Sequence, residues 1–204
     1  MHLISSLTLD CSQWFCGGTL ISDEWVLTAG HCADGASSVN VMLGAHNVRE
    51  TVEDGRLEIA SNEIFTHENY NGLTIRNDVG LVHLPEPVQF TGEREDDLES
   101  RLIILHFTDW VRPICLPSYS EWNTTWYHLD MQISGWGKPT DQSDSISPVL
   151  RDATVDTITN LACALEFPLN INKNNICISG RNGISTCNVG NSFQLLKLQL
   201  MCHL

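Results

Sequence analysis

Short alternating segments dominate the first two thirds of the chain. "FCGGTLIS", "EWVLTAG", "VNVMLG", "RLEIASNEIF", "DVGLVHL" and "MQISGWG" are β-branched or alternate apolar with polar residues. Gly, Asn, Asp or Pro separate them at frequent intervals. That pattern predicts strands joined by turns. A 3.6-residue period is absent before residue 150, apart from a short turn expected at "TAGHCADG". Many short strands in one chain of this size favour a barrel or sandwich over an α/β fold. No internal repeat is visible.

Two stretches break the pattern. Thr91–Phe107, "TGEREDDLESRLIILHF", starts as a charge run and ends as an apolar run. A solvated surface loop is the ordinary reading of such a run. The second is "VGNSFQLLKLQLMCHL", residues 189–204, in which "SFQLLKLQLM" contains good helix formers and predicts a short terminal helix.

Composition narrows the partners. The 204 residues carry a formal net charge of -14. Nucleic acid and anionic membranes both call for basic patches, so neither is expected. No apolar run is long enough to span a bilayer. The eight cysteines form no CxxC pair, so no zinc site is expected, and no cofactor is implied. That number of cysteines suits an oxidising compartment. The sequon Asn123-Thr124-Thr125 makes Asn123 a glycosylation candidate and agrees with secretion. "MHLISSLTLDCSQWF" lacks the basic region and cleavage site of a signal peptide.

The chemistry lies in three motifs. "CGGTLISDEWVLTAGHC" (Cys16–Cys32) sets His31 beside a cysteine at the end of an apolar strand; "RNDVGLVHL" (Arg76–Leu84) and "ISGWG" (Ile133–Gly137) follow. Together they resemble the chymotrypsin-like serine proteases, and look closest to the collagenase-type digestive members of invertebrates. The resemblance covers most of Gln13–Asn188, interrupted at 91–107. It implies an all-β, double six-stranded antiparallel barrel with the active site between the barrels. The second barrel is expected to be incomplete at its C-terminal side, and the protein to be monomeric. Residues 1–188 are expected to form the protease domain, truncated at both ends, with 189–204 a tail foreign to the family.

The resemblance makes His31 the general base and Asp78 its orienting partner. A serine hydroxyl is a poor nucleophile at neutral pH, so an imidazole must take its proton, and a buried carboxylate fixes the imidazole's tautomer. The family's chain order is His, Asp, Ser. The resemblance also implies disulfides Cys16–Cys32 and Cys163–Cys177. Closing the first loop contributes roughly 3 kcal/mol in the chain-entropy model. Cys11, Cys115, Cys187 and Cys202 have no assigned partner, and Met131 stands where many relatives have a cysteine. Ser185 falls on the floor of the specificity pocket, where a neutral residue suits apolar or aromatic side chains.

The nucleophile is where the chain departs from the family. Relatives place it in a GDSGG turn soon after the cysteine matched by Cys187. Counting without gaps, the slot is Asn191, whose amide is no nucleophile. Val189 and Gly190 stand where the family has Gly and Asp, which removes an oxyanion-hole donor. A one-residue insertion would make Ser192 the substitute nucleophile, within "GNSF". The resemblance implies paired activating elements, an Ile or Val N-terminus and the Asp before the nucleophile, and both are expected to be missing. Removing Gly92–Thr108 leaves "LPEPVQFTDWVRPICLP", continuous with the family, so both pattern breaks are expected to be untranslated segments kept in frame. Three readings follow: an active serine endopeptidase, a catalytically dead homologue serving as a binding or decoy module, and a mis-spliced fragment. Loss of proteolysis is expected.

Overall fold

The computed structural model describes residues 5–9, 14–89, 111–121, 125–140, 142–167, 171–179, 187–188 and 192–193. Thr91–Phe107, Asn123, Ser185, Asn191, Cys11, Cys202 and residues 194–204 lie outside the described residues.

The strands are β1 (Ser5–Leu9), β2 (Trp14–Leu20), β3 (Trp25–Thr28), β4 (Val39–Leu43), β5 (Leu57–Ser61), β6 (Glu63–Thr66) and β7 (Gly80–His83). They form one antiparallel sheet in the order β5-β4-β1-β2-β3-β7-β6. The two edge strands, β5 and β6, are separated by Asn62 alone. One bent stretch of chain therefore borders both edges and rolls the sheet up. Counted as a single bent strand, it leaves six members, the number that the motifs imply.

Alternation explains the core. Val26 and Thr28 of β3 are buried while Trp25 and Leu27 are only partly so; β7 repeats the pattern with Gly80 and Val82 inward. Val26, Val41, Leu43 and Val82 are wholly buried and belong to one cluster with Leu20, Val39 and Leu84. Full burial of each such side chain stabilises by about 1.5–3 kcal/mol.

The second half is smaller among the described residues. β8 (Asp130–Gly135), β9 (Arg151–Ile158) and β10 (Cys177–Ile178) pair antiparallel in the order β10-β9-β8. Met131 pairs opposite Val155 in this sheet. β9 has no apolar run, because Asp152, Thr154 and Asp156 face water while Val155 and Thr157 face in. Between β3 and β4 runs the one-turn helix α1 (Gly30–Ala33), and between β9 and β10 runs α2 (Asn160–Glu166). Thr159 starts α2 by accepting a hydrogen bond from the Ala162 N–H at 3.2 Å. No helix among the described residues is long and apolar enough to cross a membrane.

The tail departs from its helical expectation at its start. Ser192 and Phe193 form β12, which pairs antiparallel with β11 (Cys187–Asn188). Cross-strand pairing overrides the intrinsic helix preference there. Disulfides join Cys16 to Cys32 and Cys163 to Cys177. Cys115, left without a partner by the motifs, is disulfide-bonded too.

Trp136 fastens the halves together. Its side chain is 2% exposed and packs with Met42 and Ala45 of the first half. Its ring meets Phe15 edge-on, with centroids 5.8 Å apart. The indole N–H donates to the His46 carbonyl at 2.9 Å. Two backbone bonds reinforce the seam, Val48 N–H to Pro148 and Leu150 N–H to His46, at 2.9 and 2.8 Å. Trp136→Ala is therefore expected to cost about 3–5 kcal/mol in urea unfolding. Trp136→Phe, which loses the hydrogen bond and part of the packing, should cost less.

Candidate active site

His31 and Asp78 are 47 residues apart in sequence, and strand register brings them together. β3 pairs with β7 so that Thr28 lies opposite Gly80. His31 follows Thr28 by three residues, and Asp78 precedes Gly80 by two. In an antiparallel pair both therefore emerge at the same end of the sheet. The buried Thr28 hydroxyl donates to the Gly17 carbonyl at 2.9 Å, holding the end of β3 against β2.

The joint between α1 and β7 is tight. A Cβ on Gly80 would lie 2.7 Å from Ala33 Cβ and 2.8 Å from the Ala29 carbonyl oxygen. A Cβ on Gly30 would lie 3.0 Å from the Val79 nitrogen and 3.2 Å from Asp78 Oδ1. Both positions lack a side chain because backbone approaches backbone there.

Asp78 grips His31 twice. The His31 backbone N–H donates to Oδ1 at 2.7 Å. Nδ1 of the ring lies 2.9 Å from Oδ2. With the carboxylate ionised, Nδ1 carries the proton, and Nε2 keeps its lone pair. Burial pushes the Asp78 carboxyl up. The hydrogen bonds from the His31 side chain and backbone, attraction to the imidazole and the Gly30 N–H outweigh it, and hold the group below its ordinary value of 3.8. The side chains are 28% and 19% exposed for His31 and Asp78, so the pair is sheltered while the imidazole remains open to solvent.

The turn before Asp78 is shaped by unusual backbone. Ile75 and Asn77 have φ of 51° and 55°. Asparagine tolerates that region, whereas a β-branched isoleucine is strained by it. The Asn77 amide donates to the Asn69 carbonyl at 2.8 Å, and the His67 N–H donates to the Val79 carbonyl at 2.9 Å. These bonds carry Asp78 to the start of β7.

Tyr70 joins the site without any sequence signal, because it stands in the polar turn "HENYNG". Its Cδ2 lies 3.0 Å from a Cβ placed on Gly30. Burial pushes its phenol up, and the negative charges of Asp78 and Asp34 push it further the same way. Cys32, next to His31, is disulfide-bonded to Cys16 of β2. One ligand atom from each of Cys16, His31 and Cys32 lies within 4.8 Å of the others, with both sulfurs committed to the disulfide. Ser192 lies on β12 opposite Asn188.

Comparison with known proteins assigns this geometry to a family. The chain matches the trypsin family model over residues 3–192. It belongs to the trypsin family. Brachyurin of Leptuca pugilator is 38% identical over 86% of this chain and 68% of its own length. Collagenase of Hypoderma lineatum is 32% identical over 87% of this chain. This chain spans 59% of that collagenase. The solved structure of HL collagenase superposes with a TM-score of 0.70 at 31% identity, covering 91% of this chain and 70% of that one. The fold is thus that of the chymotrypsin-like proteases, and trypsin-type members act on protein substrates.

Two trypsin-family features of the site can be tested. The folded Asp78 carboxyl titrates below its ordinary value of 3.8. Its stabilising contribution is complete above that pH and is lost as pH falls through the lower folded value. Asp78→Asn should therefore flatten the acid limb of a stability-against-pH curve followed by chemical denaturation. Gly80→Ala should destabilise by roughly 1–3 kcal/mol in chemical denaturation, because the added methyl meets the Ala33 side chain and the Ala29 carbonyl.

Proposed function

We propose that this chain is a serine-endopeptidase homologue that keeps the general base and its orienting carboxylate but has lost turnover. The two-handed hold of Asp78 on His31 carries the first half of the reading. An imidazole with Nδ1 donated to a carboxylate has Nε2 available to take a hydroxyl proton, as acyl transfer by serine requires. In an intact site, His31 would accept the serine proton during attack on a peptide carbonyl. It would then return that proton to the leaving amine. Asp78 would stabilise the imidazolium formed between the two steps.

The second half rests on sequence. The counted nucleophile slot is Asn191, with Val189 and Gly190 before it. A carboxamide cannot serve as the attacking oxygen, and a β-branched Val suits the oxyanion-hole position poorly. Removing one triad member costs on the order of 10⁴–10⁶ in turnover. An oxyanion-hole donor is worth a further factor of roughly 10²–10³. The specificity-pocket position, Ser185, is neutral and suits an apolar or aromatic residue in the substrate. The two described disulfides and the Asn123 sequon support an extracellular setting.

A second reading has one observation in its favour: the family match runs through Ser192. In that reading Ser192 attacks, with Asn191 in place of the usual aspartate. A fluorophosphonate probe separates the two. The purified chain should remain unlabelled and should hydrolyse chymotrypsin-type peptide substrates at the buffer rate. Labelling mapped to Ser192 and abolished by Ser192→Ala would establish the second reading.

A further inference from the structure

We propose that Asn71 is a site of spontaneous deamidation, that the native turn around it promotes the reaction, and that the product disturbs the arm carrying Asp78. The sequence contains two Asn-Gly pairs. Asn71-Gly72 lies among the described residues, and Asn182-Gly183 does not.

The fold polarises the electrophile. The Leu73 and Thr74 N–H groups both donate to Asn71 Oδ1, each at 3.0 Å. Asparagine commonly closes a turn in this way. Two donors on one carboxamide oxygen also have a chemical effect. They stabilise the negative charge that the oxygen gains when its carbon is attacked. The turn thus surrounds its own side chain with the donors of an oxyanion hole.

The nucleophile is the Gly72 nitrogen. Among the described residues no group accepts from its N–H, and glycine has no side chain to obstruct the approach. Asn71 and Gly72 are both exposed, so water reaches the product. Asn71 is also the base of the arm that leads to Asp78. Its own N–H donates to the Arg76 carbonyl at 3.0 Å. From there the chain passes through Asn77, whose φ is 55°, into Asp78.

The chemistry balances with water as the co-reactant and without electron transfer. The Gly72 nitrogen forms a bond to Asn71 Cγ, and the Cγ–Nδ2 bond breaks. Nδ2 leaves as ammonia, taking the Gly72 proton. Water then opens the cyclic imide at either carbonyl. One opening leaves an aspartyl residue on the original backbone. The other routes the backbone through the side chain, which adds a methylene to the turn and displaces the oxygen that Leu73 and Thr74 share. The modification is independent of whether any serine in the chain is reactive.

The test incubates the full native chain at neutral pH in heavy-oxygen water. Cleavage after Arg56 and Arg76 then releases the peptide of residues 57–76 for mass mapping. Heavy oxygen and isoaspartate should appear at Asn71, with Asn62 and Asn69 of the same peptide intact. The native chain should convert at least as fast as the chain unfolded in urea. Gly72→Ala should abolish conversion and keep the fold, because a Cβ there meets nothing closer than the Tyr70 hydroxyl at 3.5 Å. Leu73→Pro deletes one of the donors to Oδ1 and should slow conversion roughly 10²-fold. The His31 imidazole resonances in nuclear magnetic resonance should shift in the converted chain. The proposal is overturned if the native chain converts more slowly than the unfolded one. It is also overturned if the His31 resonances are the same in converted and unconverted chains.

Discussion

The contact between β7 and the single turn of α1 sets the position of His31 relative to Asp78. Gly80 lies so close to Ala29 and Ala33 that no side chain fits between them. That approach fixes the distance from the start of β7 to the end of β3. The register that places Thr28 opposite Gly80 then fixes their relative height. His31 and Asp78 inherit both settings. Neither residue has to search for the other once the sheet has formed.

Asp78 shows how competing electrostatic effects resolve. Burial alone would favour the neutral acid. Two donors from His31 and one from Gly30 reverse that preference. The first N–H groups of α1, together with the His31 ring, therefore keep the carboxylate charged. Tyr70 feels the opposite pressure, since burial and two neighbouring carboxylates keep its phenol protonated. One short stretch of backbone thus holds an anion and a neutral phenol side by side.

The residues differ in how plainly they speak. "CGGTLISDEWVLTAGHC" declares its strands through alternation, whereas the role expected of His31 is legible only through the resemblance of the whole motif to the family. Asp78 is legible through "NDVGL" in the same way. β9 is silent because its outward positions are aspartates and a threonine, which leave no apolar run to notice. Tyr70 is silent because its role comes from approaching Gly30 across a long separation in sequence. The seam between the halves is silent for a related reason: the Trp136 indole reaches a backbone carbonyl, at His46, and carbonyls carry no residue identity. The terminal segment misleads at Ser192 and Phe193, where helix-forming neighbours surround two residues engaged in a ladder.

The bend at Asn62 has a wider consequence. A sheet bordered on both sides by one stretch of chain offers little free edge to its surroundings. Every strand that positions His31 and Asp78 belongs to that rolled sheet. The His31–Asp78 pair is therefore a property of one half of the polypeptide, insulated from sequence change in the other. The histidine and aspartate can stay held as they are while residues outside that sheet change.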